Sequence, residues 1–322
     1  MRLSCSYPCR MALITGALVC FSVSLGNAQV FVSSEGLNTG VAEYSGSGSL
    51  LDASLIPGLT NPFSLLLDGP DLFIANASSY TVGEYTTSGA TVNSALISSI
   101  YVPTGMAVSG SNLFITTAFG GSHNIQEYTT AGTPVNTSLV NATLGFNAIA
   151  ISGNDIFALD SLNRTIGEYT TSGGVVNASL LAVPFNSTGI AISGDDIFVT
   201  SSFYGTVSEY TLEGATVNTS LISGLIDPVG LAVAGSDLFV VNGNEDGLGG
   251  TIGEYTTAGT LVNAAFITGL SGPTSIAIED IPEPVIWKLF VCGMAGFAFR
   301  IGSRKGQLQS ECSVNFPLGW LK

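Results

Sequence analysis

Cysteine is absent from the whole stretch between Gln29 and Glu283. No disulfide staples this region and no thiolate does chemistry in it, so its fold rests on core packing. Basic residues are almost as scarce. Residues 29–281 hold 21 acidic side chains and one basic residue, Arg164, for a net charge of −20. Such a surface repels phosphate backbones, which excludes nucleic acid and leaves cations, neutral sugars or basic protein patches as partners. The 322-residue chain has a single histidine, His123, which excludes multi-histidine metal centres. No Ser-His-Asp set has convincing spacing and no glycine motif opens a helix, so no catalytic residue is assigned. Charged residues make up only 10% of the chain, against 40 glycines and many Thr, Ser and Asn. That mixture suits short strands joined by tight turns.

The first 28 residues read as a secretory signal. Arg2 and Arg10 form the basic n-region, Met11–Leu25 the apolar run, and Gly26-Asn27-Ala28 a small-residue cleavage site. The apolar run is short for a membrane span. Export to the cell-envelope surface or beyond is therefore expected.

An internal repeat organises residues 29–281. Glu-Tyr recurs at Glu43, Glu84, Glu127, Glu168, Glu209 and Glu254, with spacings of 41, 43, 41, 41 and 45 residues. A glycine stands five positions after each Glu, and Asn (Asp52 in the first copy) stands nine after it. Each unit contains four strand-length pieces, a to d, with Gly, Asn and Asp in the a–b and c–d connections, which is hairpin chemistry. Piece a alternates small with bulky residues, as in Gly105/Ala107 against Met106/Val108; Leu66 breaks the pattern in the first copy. Four-stranded units of this length are propeller blades. The chain starts at piece b (Val30-Phe31-Val32) and ends on a lone piece a, Pro273–Ile278. The expected fold is all-β, a six-bladed β-propeller over residues 29–281, closed by N- and C-terminal strands in one blade.

The pattern P-x-G-I-A-V, D-L-F-V, I-G-E-Y resembles the NHL family of propeller repeats. The resemblance implies a binding scaffold, since most such propellers bind partners and a few are metal-dependent enzymes. The C-terminus resembles the PEP-CTERM sorting signal, with Pro282-Glu283-Pro284 as the motif, Val285–Phe299 as the apolar stretch, and Arg300, Arg304 and Lys305 as the basic stop. That implies processing of residues 282–305 by exosortase-type machinery, with transient membrane association. Residues 306–322 form a tail with no assigned role.

Length variation marks where a ligand would bind. The distance from each Glu to the next second-strand Phe is always 30 residues, so variation falls in the b–c loops. These loops share one propeller face with the d–a loops. The candidate binding face comprises Tyr80, Tyr101, Phe119, His123, Asp160, Arg164, Phe185, Phe203 and Tyr204, aromatics among scattered polar groups that suit a glycan or protein partner. The sequence Asn242–Gly247 matches the first half of a calcium loop, with Asn242, Asn244 and Asp246 as oxygen ligands and Glu254 as the candidate acidic ligand beyond them. Calcium is the cofactor such a site would take. A rival reading is a metal-dependent propeller hydrolase or lyase, with Asp160, Glu245 and Asp246 as carboxylate ligands near His123. The six Glu of the Glu-Tyr pairs are expected to form a structural cross-strand ladder with the Asn nine positions on, Glu43 and Asp52 repelling each other.

Overall fold

The computed structural model describes residues 9–14, 17–22, 28–35, 39–119, 122–142, 145–243 and 249–279. Cys9–Ile14 and Ala17–Ser22 pair as a two-stranded ribbon of their own. The tail from residue 280 onward, including the whole sorting motif, lies outside the described residues.

The remaining strands form six four-stranded antiparallel sheets, the blades of a β-propeller. Blade 1 consists of Pro273–Ile278, Gln29–Ser34, Gly40–Ser45 and Leu50–Pro57, from inside to outside. Blades 2 to 6 follow in chain order over 62–98, 103–142, 146–182, 187–223 and 228–270. Closure is as expected: Ile276 faces Val32 and Ile278 faces Val30 in antiparallel register.

The cores lie between blades. The second-strand Phe of one blade packs with the second-strand aliphatic and the third-strand Tyr of the next. Phe73 thus joins Leu113 and Tyr128, Phe157 joins Ile197 and Tyr210, and Phe239 of blade 6 joins Val30 and Tyr44 of blade 1. The Tyr of each Glu-Tyr pair is therefore a blade-to-blade packing residue. Its large buried area explains why every copy has it.

The glycine after each Glu-Tyr pair is required twice over. In the c–d turn, Gly173 has φ 87°. A Cβ there would also sit 2.7 Å from the Leu139 carbonyl oxygen of the preceding blade. Gly89, Gly132, Gly214 and Gly259 repeat both features.

The expected Glu–Asn ladder exists in register only. Glu168 lies opposite Asn177 and Glu209 opposite Asn218. Each Asn oxygen, however, accepts the backbone N–H two residues on, as from Ser179 at 3.1 Å and Ser220 at 3.0 Å. Asp52 does the same with Ser54 at 2.8 Å, so it turns to its own strand instead of confronting Glu43. These bonds occupy donors of the outermost strand where its register shifts, which blunts an edge that would otherwise recruit other strands.

The blades also alternate in chemistry. In blades 1, 3 and 5 an inner-strand Thr meets a hydroxyl on the second strand: Thr274 with Ser33 at 2.8 Å, Thr104 with Thr116 at 3.1 Å, and Thr188 with Thr200 at 2.9 Å. Each Thr hydroxyl also donates to the first inner-strand carbonyl of the next blade, at Pro62, Phe146 and Pro228. In blades 2, 4 and 6 the matching pairs are Phe63/Ala75, Asn147/Leu159 and Val229/Val241, with no such staple. The third strand alternates as well. Blades 2, 4 and 6 place Gly83, Gly167 and Gly253 beneath the Tyr ring, where a Cβ would fall within 2.8 Å of it. The repeat is thus a two-blade unit used three times.

Candidate functional site

The b–c and d–a connections lie on one face of the ring, here called the loop face; the a–b and c–d turns lie on the other, the turn face. On the loop face the d–a connection hangs from the b–c loop by a recurring backbone bond. Ile100 N–H donates to Tyr80 at 3.1 Å, Val183 to Arg164 at 2.9 Å and Leu225 to Gly205 at 3.0 Å. The residue supplying the carbonyl is left-handed, with φ 59° at Tyr80 and Arg164 and 62° at Gly205. Only the last is a glycine. Val102, just past Tyr101, is left-handed too at φ 38°, a costly conformation for a β-branched residue.

These loops bring the aromatic residues into two clusters. Tyr80 and Tyr101 stack with centroids 5.2 Å apart and rings 9° from parallel. Phe203 packs edge-on against Phe185 at 5.4 Å and against Tyr204 at 5.0 Å. Phe203 is 65% and Tyr204 56% exposed, so the second cluster stands clear of the surface. Leu162, Ile226 and Phe63 are exposed on the same face and were not among the sequence candidates. Their signal was an apolar residue in a polar connection (an inner-strand position for Phe63).

Between the clusters, the inner strands of all six blades line the mouth of the central channel, a cavity of about 340 Å³. Its rim carries Phe63, Thr104, Asn147, Thr188, Val229 and Thr274, with Glu35 beside them. The inner-strand glycines are small because blades converge here: a Cβ on Gly105 would lie 2.9 Å from the Cα of Ala148 in the next blade.

The other candidates belong to neither cluster. Asp160 is only 6% exposed, and its two oxygens accept from the backbone and amide nitrogens of Asn163, both at 2.8 Å. It caps its own turn instead of facing a ligand. Phe119 and His123 are strand residues, because the extra length of blade 3 is taken up by longer strands, Asn112–Phe119 and Ser122–Thr129. His123 is partly buried and its Nδ1 is enclosed without a hydrogen-bond partner. Arg164 is exposed and makes no ion pair among the described residues. Among those residues no three His, Cys, Asp or Glu gather into a metal-binding group.

For the calcium reading, Asn242 is buried at the end of its strand, opposite Pro228 and Thr251. Its Oδ1 has no partner. Glu254 lies opposite Phe239 instead, three residues back along that strand and roughly 10 Å away. It belongs to the turn face and cannot complete a site at Asn242. Asn244, Glu245 and Asp246 fall outside the described residues.

On the turn face each repeated Glu looks toward the first residue of its blade's second strand. In two blades that residue donates a hydrogen bond, Gln29 to Glu43 at 2.7 Å and Asn112 to Glu127 at 2.8 Å. In four it is an aspartate. Burial, reinforced by Asp71, Asp155 and Asp196, raises the carboxyls of Glu84, Glu168 and Glu209 above the usual range. Burial and then Asp237 push Glu254 up to about 7. Between the ordinary carboxylate range and pH 7 the folded chain therefore keeps protons that the unfolded chain releases, and stability falls as pH rises through that window. The expected result is a higher melting temperature at pH 5 than at pH 8. Glu254→Gln should recover about 1–2 kcal/mol at pH 8, allowing for partial solvent access, and add little at pH 5. Calorimetry at both pH values checks this; a variant less stable at pH 8 would refute it.

No protein-family model matches the chain, and no curated protein matches it. Among solved structures it is similar to one from a nidogen/laminin complex, at 12% identity and TM-score 0.64, covering 80% of this chain and all of the other. It is also similar to catalytically inactive virginiamycin B lyase from Staphylococcus aureus, solved with quinupristin, at 17% identity and TM-score 0.50, covering 81% and 84% of the two chains. At these identities the likeness is one of fold, and the fold is the six-bladed β-propeller.

Proposed function

We propose that this chain is a non-enzymatic binding protein of the cell surface or extracellular matrix that engages a glycan or protein partner through its loop face. The observation that carries the reading is the concentration of exposed aromatic residues in two clusters around the channel mouth. Rings of this kind bury large areas with few rotors and dominate the energetics of recognition surfaces. The secretory signal over 1–28, the NHL-like repeat and the exosortase-type sorting segment over 282–305 complete the proposal as an exported, surface-sorted scaffold. One similar structure comes from a complex between two proteins, nidogen and laminin, which agrees with a binding role. The lyase likeness keeps a hydrolase or lyase as the second reading, but Asp160, the one of its three candidate carboxylates among the described residues, is already engaged by Asn163.

The test compares two double variants for retention on envelope fractions of the native host. Phe203→Ala/Tyr204→Ala should weaken retention by about 2–4 kcal/mol and leave the melting curve nearly unchanged. Glu168→Gln/Glu209→Gln should bind like the parent and shift stability instead. The reverse pattern would remove the loop face from consideration.

A further inference from the structure

We propose that the partner of the loop face is a linear, uncharged polysaccharide, laid across the channel mouth and held by an aromatic cluster on each side. This deepens the reading of the loop face as the binding surface and rests on it. Tyr80 belongs to blade 2 and Tyr204 to blade 5, three blades apart in a ring of six. The two clusters therefore stand on opposite sides of the axis, with the cavity between them.

The chemistry of this track is that of a sugar chain. Aromatic faces accept the apolar C–H surfaces of a pyranose ring, while hydroxyl and amide groups satisfy its edges. The rim between the clusters offers the amide of Asn147; the Thr104 and Thr188 hydroxyls beside it are already bonded within the ring, to Thr116 and Phe146 and to Thr200 and Pro228. Asn147 is held in place by Ser161, whose hydroxyl donates to its amide oxygen at 2.8 Å. A protein partner would be served by one continuous apolar patch; here a cavity of mixed polar and apolar lining divides the two aromatic groups.

Charge selects an uncharged chain. Most carboxylates of the described propeller lie on the turn face or beside it, while among the described residues the loop face carries Glu35, Asp227 and the buried Asp160 against one exposed arginine, Arg164. With no basic groove and a strongly negative whole, a polyanionic glycan is repelled. The backbone that carries the tyrosine cluster is also set before any ligand arrives. Tyr80 is held left-handed and tied to Ile100, and left-handed Val102 follows Tyr101. A backbone already in place loses little conformational freedom on binding.

The experiment titrates the purified full chain with cellohexaose, xylohexaose, mannohexaose and chitohexaose, with their trimers, and with hexagalacturonate as the anionic control. Calorimetry reports affinity. Both tryptophans, Trp287 and Trp320, lie in the tail, so tyrosine fluorescence gives a second readout of the site. At least one neutral hexamer should bind ten times or more tighter than its trimer, which reaches one cluster only. Tyr80→Ala/Tyr101→Ala and Phe203→Ala/Tyr204→Ala should each weaken the hexamer at least tenfold, and Tyr80→Phe should retain it. Binding by no neutral hexamer, preference for hexagalacturonate, or unchanged affinity in both double variants would overturn the proposal. If the glycans fail while the Phe203/Tyr204 variant still loses envelope retention, the loop face stands and its partner is a protein.

Discussion

A chain ending at Gly272 is expected to melt at least roughly 10 °C below one ending at Glu279 and to aggregate on heating. The seven residues that differ contain the inner strand of blade 1. Ile276 and Ala277 are buried in two different inter-blade cores, one shared with blade 6 and one with blade 2. Thr274 carries the hydroxyl staple to Pro62, and the Ser275 hydroxyl accepts the backbone N–H of Leu65 at 3.2 Å. Without the strand, Gln29–Ser34 becomes an open edge flanked by Val30, Phe31 and Val32, all buried in the closed ring. An apolar, unprotected edge invites pairing with other chains. Differential scanning calorimetry with light scattering checks both parts. Matching melting curves would show that the ring does not depend on its C-terminal strand.

Gly173→Ala should cost about 3 kcal/mol, whereas Gly194→Ala should cost about 1 kcal/mol. Both glycines are left-handed, at φ 87° and 59°. They differ in surroundings. A Cβ on Gly194 meets nothing within 4 Å, while one on Gly173 meets the Leu139 carbonyl at 2.7 Å. The pair therefore separates the conformational cost, common to both, from the cost of forcing blades 3 and 4 apart. Urea unfolding of the two variants measures the difference. Equal losses would mean that the c–d turn does not touch its neighbour as tightly as the geometry requires.

Blade number, strand order and closure were legible because they depend on periodicity and on Gly and Asn at fixed offsets. Closure in particular follows from counting strand-length pieces. The partner of the repeated Glu was not legible. Register does put Asn177 opposite Glu168. A short amide side chain, however, satisfies itself locally on the Ser179 N–H, and the Glu turns toward Asp155 on the other neighbouring strand. The three-fold alternation was visible but hidden by the stronger one-blade period. Ser33, Thr116 and Thr200 differ from Ala75, Leu159 and Val241 at every second copy. The exposure of the loop aromatics was legible, since Phe203 and Tyr204 have no buried slot in the repeat. The bonds from Asn163 to Asp160 were not legible, because a carboxylate heading a loop can either face outward or cap the loop.

The closed blade fixes the direction in which the molecule can be held. Pro273–Ile278 runs from the loop face toward the turn face, and Gln29 begins at the same end, with the Glu279 N–H donating to the Gln29 carbonyl at 2.9 Å. Both described ends of the propeller thus emerge together on the carboxylate side. Any load applied to the propeller through its last described residue, Glu279, would enter at one blade, on the side remote from the aromatic clusters.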